Sequence, residues 1–139
     1  MRELDTNYVL SAVRTIINQI VSTTSPFVIG SWGVSDYHPF KLVRKINGED
    51  VQMAALIMKV NGLKFNGLVY VALDEGSDLY RIYGRQDGQL YGKQDDKLKE
   101  YYHDISFAEL GDTLDTMIET GDMSTEEYRQ EVNYQMKGC

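Results

Sequence analysis

Two alternating apolar runs flank Asn61-Gly62, and the way they pair sorts the side chains onto two faces. An Asn-Gly pair supplies the two positive-φ positions of a tight hairpin turn. With Asn61 and Gly62 as the loop, Val60 faces Leu63, Met58 faces Phe65, Leu56 faces Gly67 and Ala54 faces Val69. One face then holds Leu56, Met58, Val60, Leu63, Phe65, Val69, Val71 and Leu73, without a charge. The other holds Lys59, Lys64, Asn66 and Tyr70. A one-residue slip would turn the lysines inward, so the register is well specified.

The rest of the chain predicts a helix, further strands and two more helices. Over residues 5–22, Leu10, Val13, Ile17 and Ile20 recur at helical spacing, and Val9, Ile16 and Val21 widen the stripe. Asp5 or Thr6 caps its start, and Pro26 prevents its continuation. Phe27–Trp32 and Phe40–Ile46 read as strands able to form a hairpin. Phe40, Leu42 and Ile46 share a face that Arg44 interrupts, which places Arg44 near its edge. Asn47-Gly48 is a second turn signal. Strands are predicted at 52–60, 63–73 and 78–83, with an even loop after Asp74 that puts Tyr80 and Ile82 on the apolar face. Residues 85–100 read as a loop with Leu90-Tyr91 as a short strand, and 100–105 as extended. Ser106 with Glu109 makes a capping box for a helix burying Phe107, Leu110, Leu114, Met117 and Ile118, with Asp112, Asp115 and Glu119 outward and Gly121 as its end. Ser124 with Glu127 opens a last helix with a thin stripe of Tyr128, Val132 and Met136.

The fold class expected is α+β: an antiparallel sheet of about five strands backed by an N-terminal and a C-terminal helix, plus a short last helix. Residues 1–121 form one domain and 122–139 a C-terminal helical extension. The length of 139 residues fits one domain with a real core. Apolar runs are too short to span a membrane, the first residues lack a signal-peptide core, and one cysteine, Cys139, allows no internal disulfide. The cytoplasm is the compartment expected.

Charge changes the picture. Residues 1–85 carry nine Lys/Arg against eight Asp/Glu, whereas 86–139 carry five against thirteen. Direct nucleic-acid binding needs a basic surface, so this distribution argues against it. An acidic face suits a basic partner or simple solubility.

Motifs with chemistry are sparse. The histidines, His38 and His103, form an acid/base site only if the fold joins them, and neither sits in metal-ligand spacing. Asp74, Glu75 and Asp78 around Gly76 are explained by turn chemistry before metal binding. Gly30-Ser31-Trp32-Gly33 is not a nucleophile elbow, and no phosphate loop is present. Neither a metal nor a cofactor is expected, and an enzyme is not the favoured reading. Ten tyrosines are the compositional excess, and tyrosine suits both interfaces and half-buried strands. Leu68, Tyr70, Ala72 and Ile57 make a second, partly apolar sheet face, expected to be exposed or covered by another chain. Candidate binding residues are Trp32, Tyr70, Tyr83, Tyr128, Val132 and Met136.

Ser31-Trp32-Gly33, Val60-Asn61-Gly62, the run Gly67–Leu73, Asp78-Leu79-Tyr80 and the helix Leu110–Asp115 together resemble small uncharacterised α+β proteins of gut Bacteroidetes, often encoded near mobile elements. The resemblance spans roughly residues 7–120. It implies an α+β fold and carries over no functional residues. The expected function is protein binding, including self-association. One alternative is a metal-dependent or histidine-assisted hydrolase using His38 or His103. Another is an acidic nucleic-acid mimic that blocks a DNA-binding protein through carboxylates of residues 87–131.

Overall fold

The computed structural model describes residues 3–86 and 98–121. The predicted last helix with Tyr128, Val132 and Met136, and the Leu90-Tyr91 strand, lie outside the described residues. Within them, helices α1 (Thr6–Thr23) and α2 (Pro26–Ser31) precede strands β1 (Asp36–Ile46), β2 (Glu49–Asn61), β3 (Asn66–Asp74), β4 (Leu79–Arg85) and β5 (Lys99–Ile105). Helix α3 (Leu110–Asp115) and a π-turn (Thr116–Thr120) follow. The strands form one antiparallel sheet in the order β1-β2-β3-β4-β5. This is the α+β fold that the hydrophobic pattern predicts.

Helix α1 starts where expected: the Asp5 carboxylate accepts from the Tyr8 N–H at 3.4 Å. Its buried residues are Val9, Ala12, Val13, Ile16 and Ile20. The buried stripe is rotated from the predicted one, so Leu10 and Val21 are exposed. The segment after it corrects the sequence reading. Residues 27–32 were expected as a strand and instead form α2 and its end. Ser25 caps α2 by accepting from the Phe27 N–H at 3.2 Å, and Pro26 takes the first turn. There the fixed φ and missing N–H of proline cost nothing. The residues that stop α1 therefore start α2, and local capping overrides the strand preference of Phe27, Val28 and Ile29.

The two Asn-Gly pairs behave differently. Asn47 and Gly48 have φ of 53° and 82° and make a two-residue turn between paired Ile46 and Glu49. Asn61 instead pairs with Asn66, so the β2–β3 loop is residues 62–65. Val60 faces Gly67, Met58 faces Val69, Leu56 faces Val71 and Ala54 faces Leu73. Every predicted pairing is thus displaced by four residues on the partner strand. An even displacement preserves which face each side chain occupies, so Leu56, Met58, Val60, Phe65, Val69 and Val71 still share the main core.

The longer loop has a tertiary cause. The Lys64 and Phe65 N–H groups both donate to the Ile118 carbonyl, at 2.8 and 3.1 Å. The Leu63 N–H donates to Glu119 Oε2 at 2.7 Å. Three loop donors are therefore satisfied by the π-turn, which a two-residue turn could not arrange. Glu119, expected to point outward, is buried here. The π-turn itself closes with the Gly121 N–H on the Thr116 carbonyl at 2.7 Å, and Gly121 has φ of 57°. Upstream, the predicted capping box is replaced by a tight turn. The Glu109 N–H donates to the Ser106 carbonyl at 3.1 Å, and the Ser106 hydroxyl donates to Glu109 Oε1 at 2.8 Å. Helix α3 begins one turn later than expected, leaving Phe107 exposed rather than buried.

Two apolar clusters lie on opposite sheet faces. The larger joins α1, Trp32, α3 and the π-turn to Leu56, Met58, Val69, Val71, Tyr80 and Ile82. Tyr80 and Ile82 are there as the even loop required, with Asp74 paired to Leu79. The smaller contains Leu42, Met53, Ala55, Ile57, Leu68, Tyr70, Ala72, Tyr83 and Leu98. This second face was expected to be exposed or covered by another chain; it is buried within this one. Two long side chains help to close this face: the Arg44 guanidinium of β1 sits 5.4 Å from the ring centroid of Tyr83 on β4. It also donates to the Leu98 carbonyl just before β5.

Gly62 is required by the loop–π-turn contact: an added Cβ would lie 2.4 Å from both the Ile118 carbonyl oxygen and its Cγ2. Gly62→Ala is expected to destabilise the fold by about 1–3 kcal/mol through overpacking. Gly30→Ala, with nothing within 4 Å of the new methyl, is expected to stabilise it by about 0.4–1 kcal/mol. Urea unfolding of the two variants checks both signs.

Candidate functional site

Trp32 ends α2 and is fully buried, with its indole Nε1–H donating to Asp115 Oδ1 at 3.0 Å. That bond ties α2 to α3 and explains Asp115, which was expected to face solvent. Tyr70 and Tyr83 are 2% and 4% exposed. Tyr70 packs edge-on to Phe40 at 5.9 Å, and Tyr83 underlies Arg44. The three described candidate residues are therefore interior side chains, and Trp32 is separated from both tyrosines by the sheet.

The histidines do not come together. His38 lies on β1 and His103 on β5, the two edges of the sheet. His38 Nε2 is 3.1 Å from Asp36 Oδ2, while His103 stands 4.0 Å from Glu100 and 3.9 Å from Asp104. Both are solvent-accessible pairs of small energetic weight. Among the described residues, no group of three or more His, Cys, Asp or Glu is placed to hold a metal ion. Asp74 is occupied by its turn and by Arg81: Oδ1 accepts from the Gly76 N–H at 3.1 Å, and Oδ2 lies 3.2 Å from Arg81 Nε.

Two clefts open at the end of the sheet where the β1–β2 and β3–β4 turns lie. One, of about 830 Å³, is acidic and lined by Glu49, Asp50, Asp74 and Glu75, with Leu4 and Gln52. The Leu4 N–H donates to Gln52 Oε1 at 2.5 Å and closes one side. The other, of about 420 Å³, is lined by Arg44, Lys45 and Asn47 from β1 and its turn, Arg81 and Tyr83 from β4, and Glu100 from β5. Arg81 is held between Asp74 and Glu100, with Nη1 2.8 Å from Glu100 Oε1. Burial alone would lower its pKa, but hydrogen bonds to Glu100 and Asp74 outweigh this and raise it. Burial, then the Glu100 charge, push the Tyr83 phenol up to about 12. It stays a neutral hydroxyl at physiological pH.

A third surface is apolar and belongs to the helical side. Phe27 on α2 is 91% exposed, Val21 on α1 61% and Phe107 57%. The segments carrying them converge where Thr24 abuts Gly111: a Cβ on Gly111 would meet Thr24 Oγ1 at 2.0 Å. Helix α2 is held to the core by half-buried Val28 and Ile29 and by Trp32 at its end, while Phe27 stays exposed. Sequence reasoning missed this surface because Val21 and Phe107 were assigned to helix cores and Phe27 to a strand. It noted Arg44 only as a break in an apolar face, and a cation at such a position is the available signal for the basic cleft. No family model matches the chain, and no curated protein or solved structure is significantly similar to it.

The raised phenol has a sign that can be checked. Above the unfolded pKa of 10.0 the unfolded chain loses the Tyr83 proton, while the folded chain keeps it up to about pH 12. Stability from this group is present below pH 10 and lost between pH 10 and 12. Tyr83→Phe is expected to flatten the fall in Tm over that window, measured by circular dichroism against the parent chain.

Proposed function

We propose that this chain is a non-enzymatic, cytoplasmic protein-interaction domain, and that its contact surface is the apolar corner of Val21, Phe27 and Phe107. The observation that carries this reading is Phe27, 91% exposed on a short helix. A phenyl ring left in water on an ordered element gives nothing to the stability of its own chain, and aromatic anchors dominate binding energy at protein interfaces. Val21 and Phe107 add exposed apolar side chains on the segments that meet at Thr24 and Gly111, and apolar patches mark contact sites. A second apolar feature lies on another part of α1: a groove of about 320 Å³ lined by Thr6, Val9, Leu10, Pro39, Phe40 and Lys41.

This reading moves the contact surface from the tyrosine-bearing sheet face to the helical corner. Self-association and binding of a different protein both use such a corner, and the resemblance to proteins encoded near mobile elements fits an accessory or regulatory role. The hydrolase alternative draws no support from histidines on opposite sheet edges. The nucleic-acid mimic draws no support from the described carboxylates Asp115, which holds the Trp32 indole, and Glu119, which is buried, and its other residues lie partly outside the described ones.

Phe27→Asp tests the proposal with little risk to the fold, because exposed surface substitutions usually change stability by about 0.5 kcal/mol or less. Sedimentation velocity across a concentration series reads self-association, and capture from native lysate reads other partners. The expected result is an unchanged Tm with association weakened at least about tenfold, or a specific partner lost. Equal association by parent and variant, or none by the parent chain in either assay, overturns it.

A further inference from the structure

The basic cleft on the opposite side of the sheet holds a cation whose burial the fold does not fully compensate. Arg44 is half-buried on the strand face that also carries Leu42 and Phe40. Among the described residues no carboxylate lies within ion-pair distance of it. Its guanidinium gives one N–H to the Leu98 carbonyl, and its Cζ lies 5.4 Å from the Tyr83 ring centroid. A guanidinium carries five N–H donors in a fixed fork, so most of this one's donor capacity is uncommitted. Taking a charge out of water without an opposite charge is costly.

The surroundings make the cost specific. Arg81, the other guanidinium of the cleft, has its charge balanced by Asp74 and Glu100. Glu100 is the acidic group lining the cleft, and its carboxylate is directed at Arg81 at 2.8 Å. Lys45 reaches Asp50 at 3.8 Å, but both side chains are well exposed, so that pair is weak and screened. Three basic residues and one acidic residue line the cleft. Asn47 stands at its mouth in the β1–β2 turn with an amide able to donate. The neutral Tyr83 hydroxyl adds a further donor. The Tyr83 ring and the Leu98 carbonyl hold the Arg44 guanidinium in place, and the N–H fork of a guanidinium is able to grip two oxygens of one anion at once.

We infer that the cleft between the β1–β2 turn, β4 and β5 is a binding site for the oxyanion of a small molecule, a carboxylate or a phosphoryl group, gripped by Arg44 with Asn47 and Tyr83 beside it. The volume of about 420 Å³ is in the range of small-molecule pockets. Glu100 and Asp74 offset Arg81, so the attraction comes from Arg44, with a smaller contribution from Lys45, and favours a singly charged group over a polyanion. This site is independent of the helical corner and stands or falls separately from it.

The test titrates the full-length chain, labelled with ¹⁵N, with sodium acetate and separately with inorganic phosphate, at constant ionic strength set by chloride. Spectra report the Arg44 Nε–H and the Asn47 and Tyr83 amides. The expected result is saturable one-to-one perturbation of all three by at least one of the anions, which also distinguishes carboxylate from phosphoryl chemistry. Arg44→Gln is expected to raise the midpoint at least tenfold, with Arg44→Lys falling between. Should Arg44→Gln fail to fold, Asn47→Asp keeps the left-handed turn and sets a negative charge at the mouth, with the same expected tenfold weakening. Linear, unsaturated shifts with both anions, or equal midpoints in the parent and the folded variants, overturn the inference. Arg44 would then serve only to tie β1 to the Leu98 carbonyl.

Discussion

The Ile118 carbonyl, accepting from both Lys64 and Phe65, is the point on which the architecture turns. It converts the β2–β3 connection from a two-residue turn into a four-residue loop and so sets the pairing of the two central strands. Glu119 completes the contact through the Leu63 N–H, and Gly62 allows the backbones to approach. The π-turn that presents these acceptors follows directly from α3, whose last residue, Asp115, holds the Trp32 indole. One chain of hydrogen bonds thus links the hairpin loop, the C-terminal helix and the short helix α2. An acceptor that serves two donors and a buried carboxylate that serves a third leave few orphan groups in a loop packed against protein.

The sheet has two buried faces, and they are closed by different means. On one, α1, α3 and the π-turn supply an ordinary helical layer over Leu56, Met58, Val69, Val71 and Ile82. On the other, the long side chain of Arg44 on the first strand reaches the Tyr83 ring on the fourth. Tyr70 and Tyr83 therefore serve the interior, where their rings fill volume. The excess of tyrosine reflects, at these positions, a sheet buried on both sides.

Surface function is accordingly displaced from where the tyrosines pointed. The exposed apolar side chains Val21, Phe27 and Phe107 surround the α1–α2 corner on the helical side. The basic cleft opens on the opposite face of the sheet. The two differ in chemistry as well as place: the corner offers hydrocarbon without directional groups, the cleft a fixed guanidinium with hydroxyl and amide neighbours. A protein surface and a small oxyanion are the respective complements.

The fold class, the N-terminal helix, the Asn47-Gly48 turn and the membership of the main core were legible in the sequence, because each rests on local periodicity or local turn chemistry. Leu56, Met58, Val60, Val69 and Val71 reach the same face whether the loop has two residues or four, since side-chain alternation has period two. Residues 27–32 were misread because strand propensity was weighed above the Ser25-Pro26 cap, which is also a local signal. Other features were decided only by tertiary contact. Asn61-Gly62 carries the same letters as Asn47-Gly48 and forms no tight turn, because the π-turn more than fifty residues away offers its loop better hydrogen bonds. The burial of Tyr70 and Tyr83, the inward Glu119 and the position of Arg44 near Tyr83 depend likewise on how segments remote in sequence pack against the sheet. Periodicity states which residues share a face; what covers that face is set by parts of the chain remote in sequence.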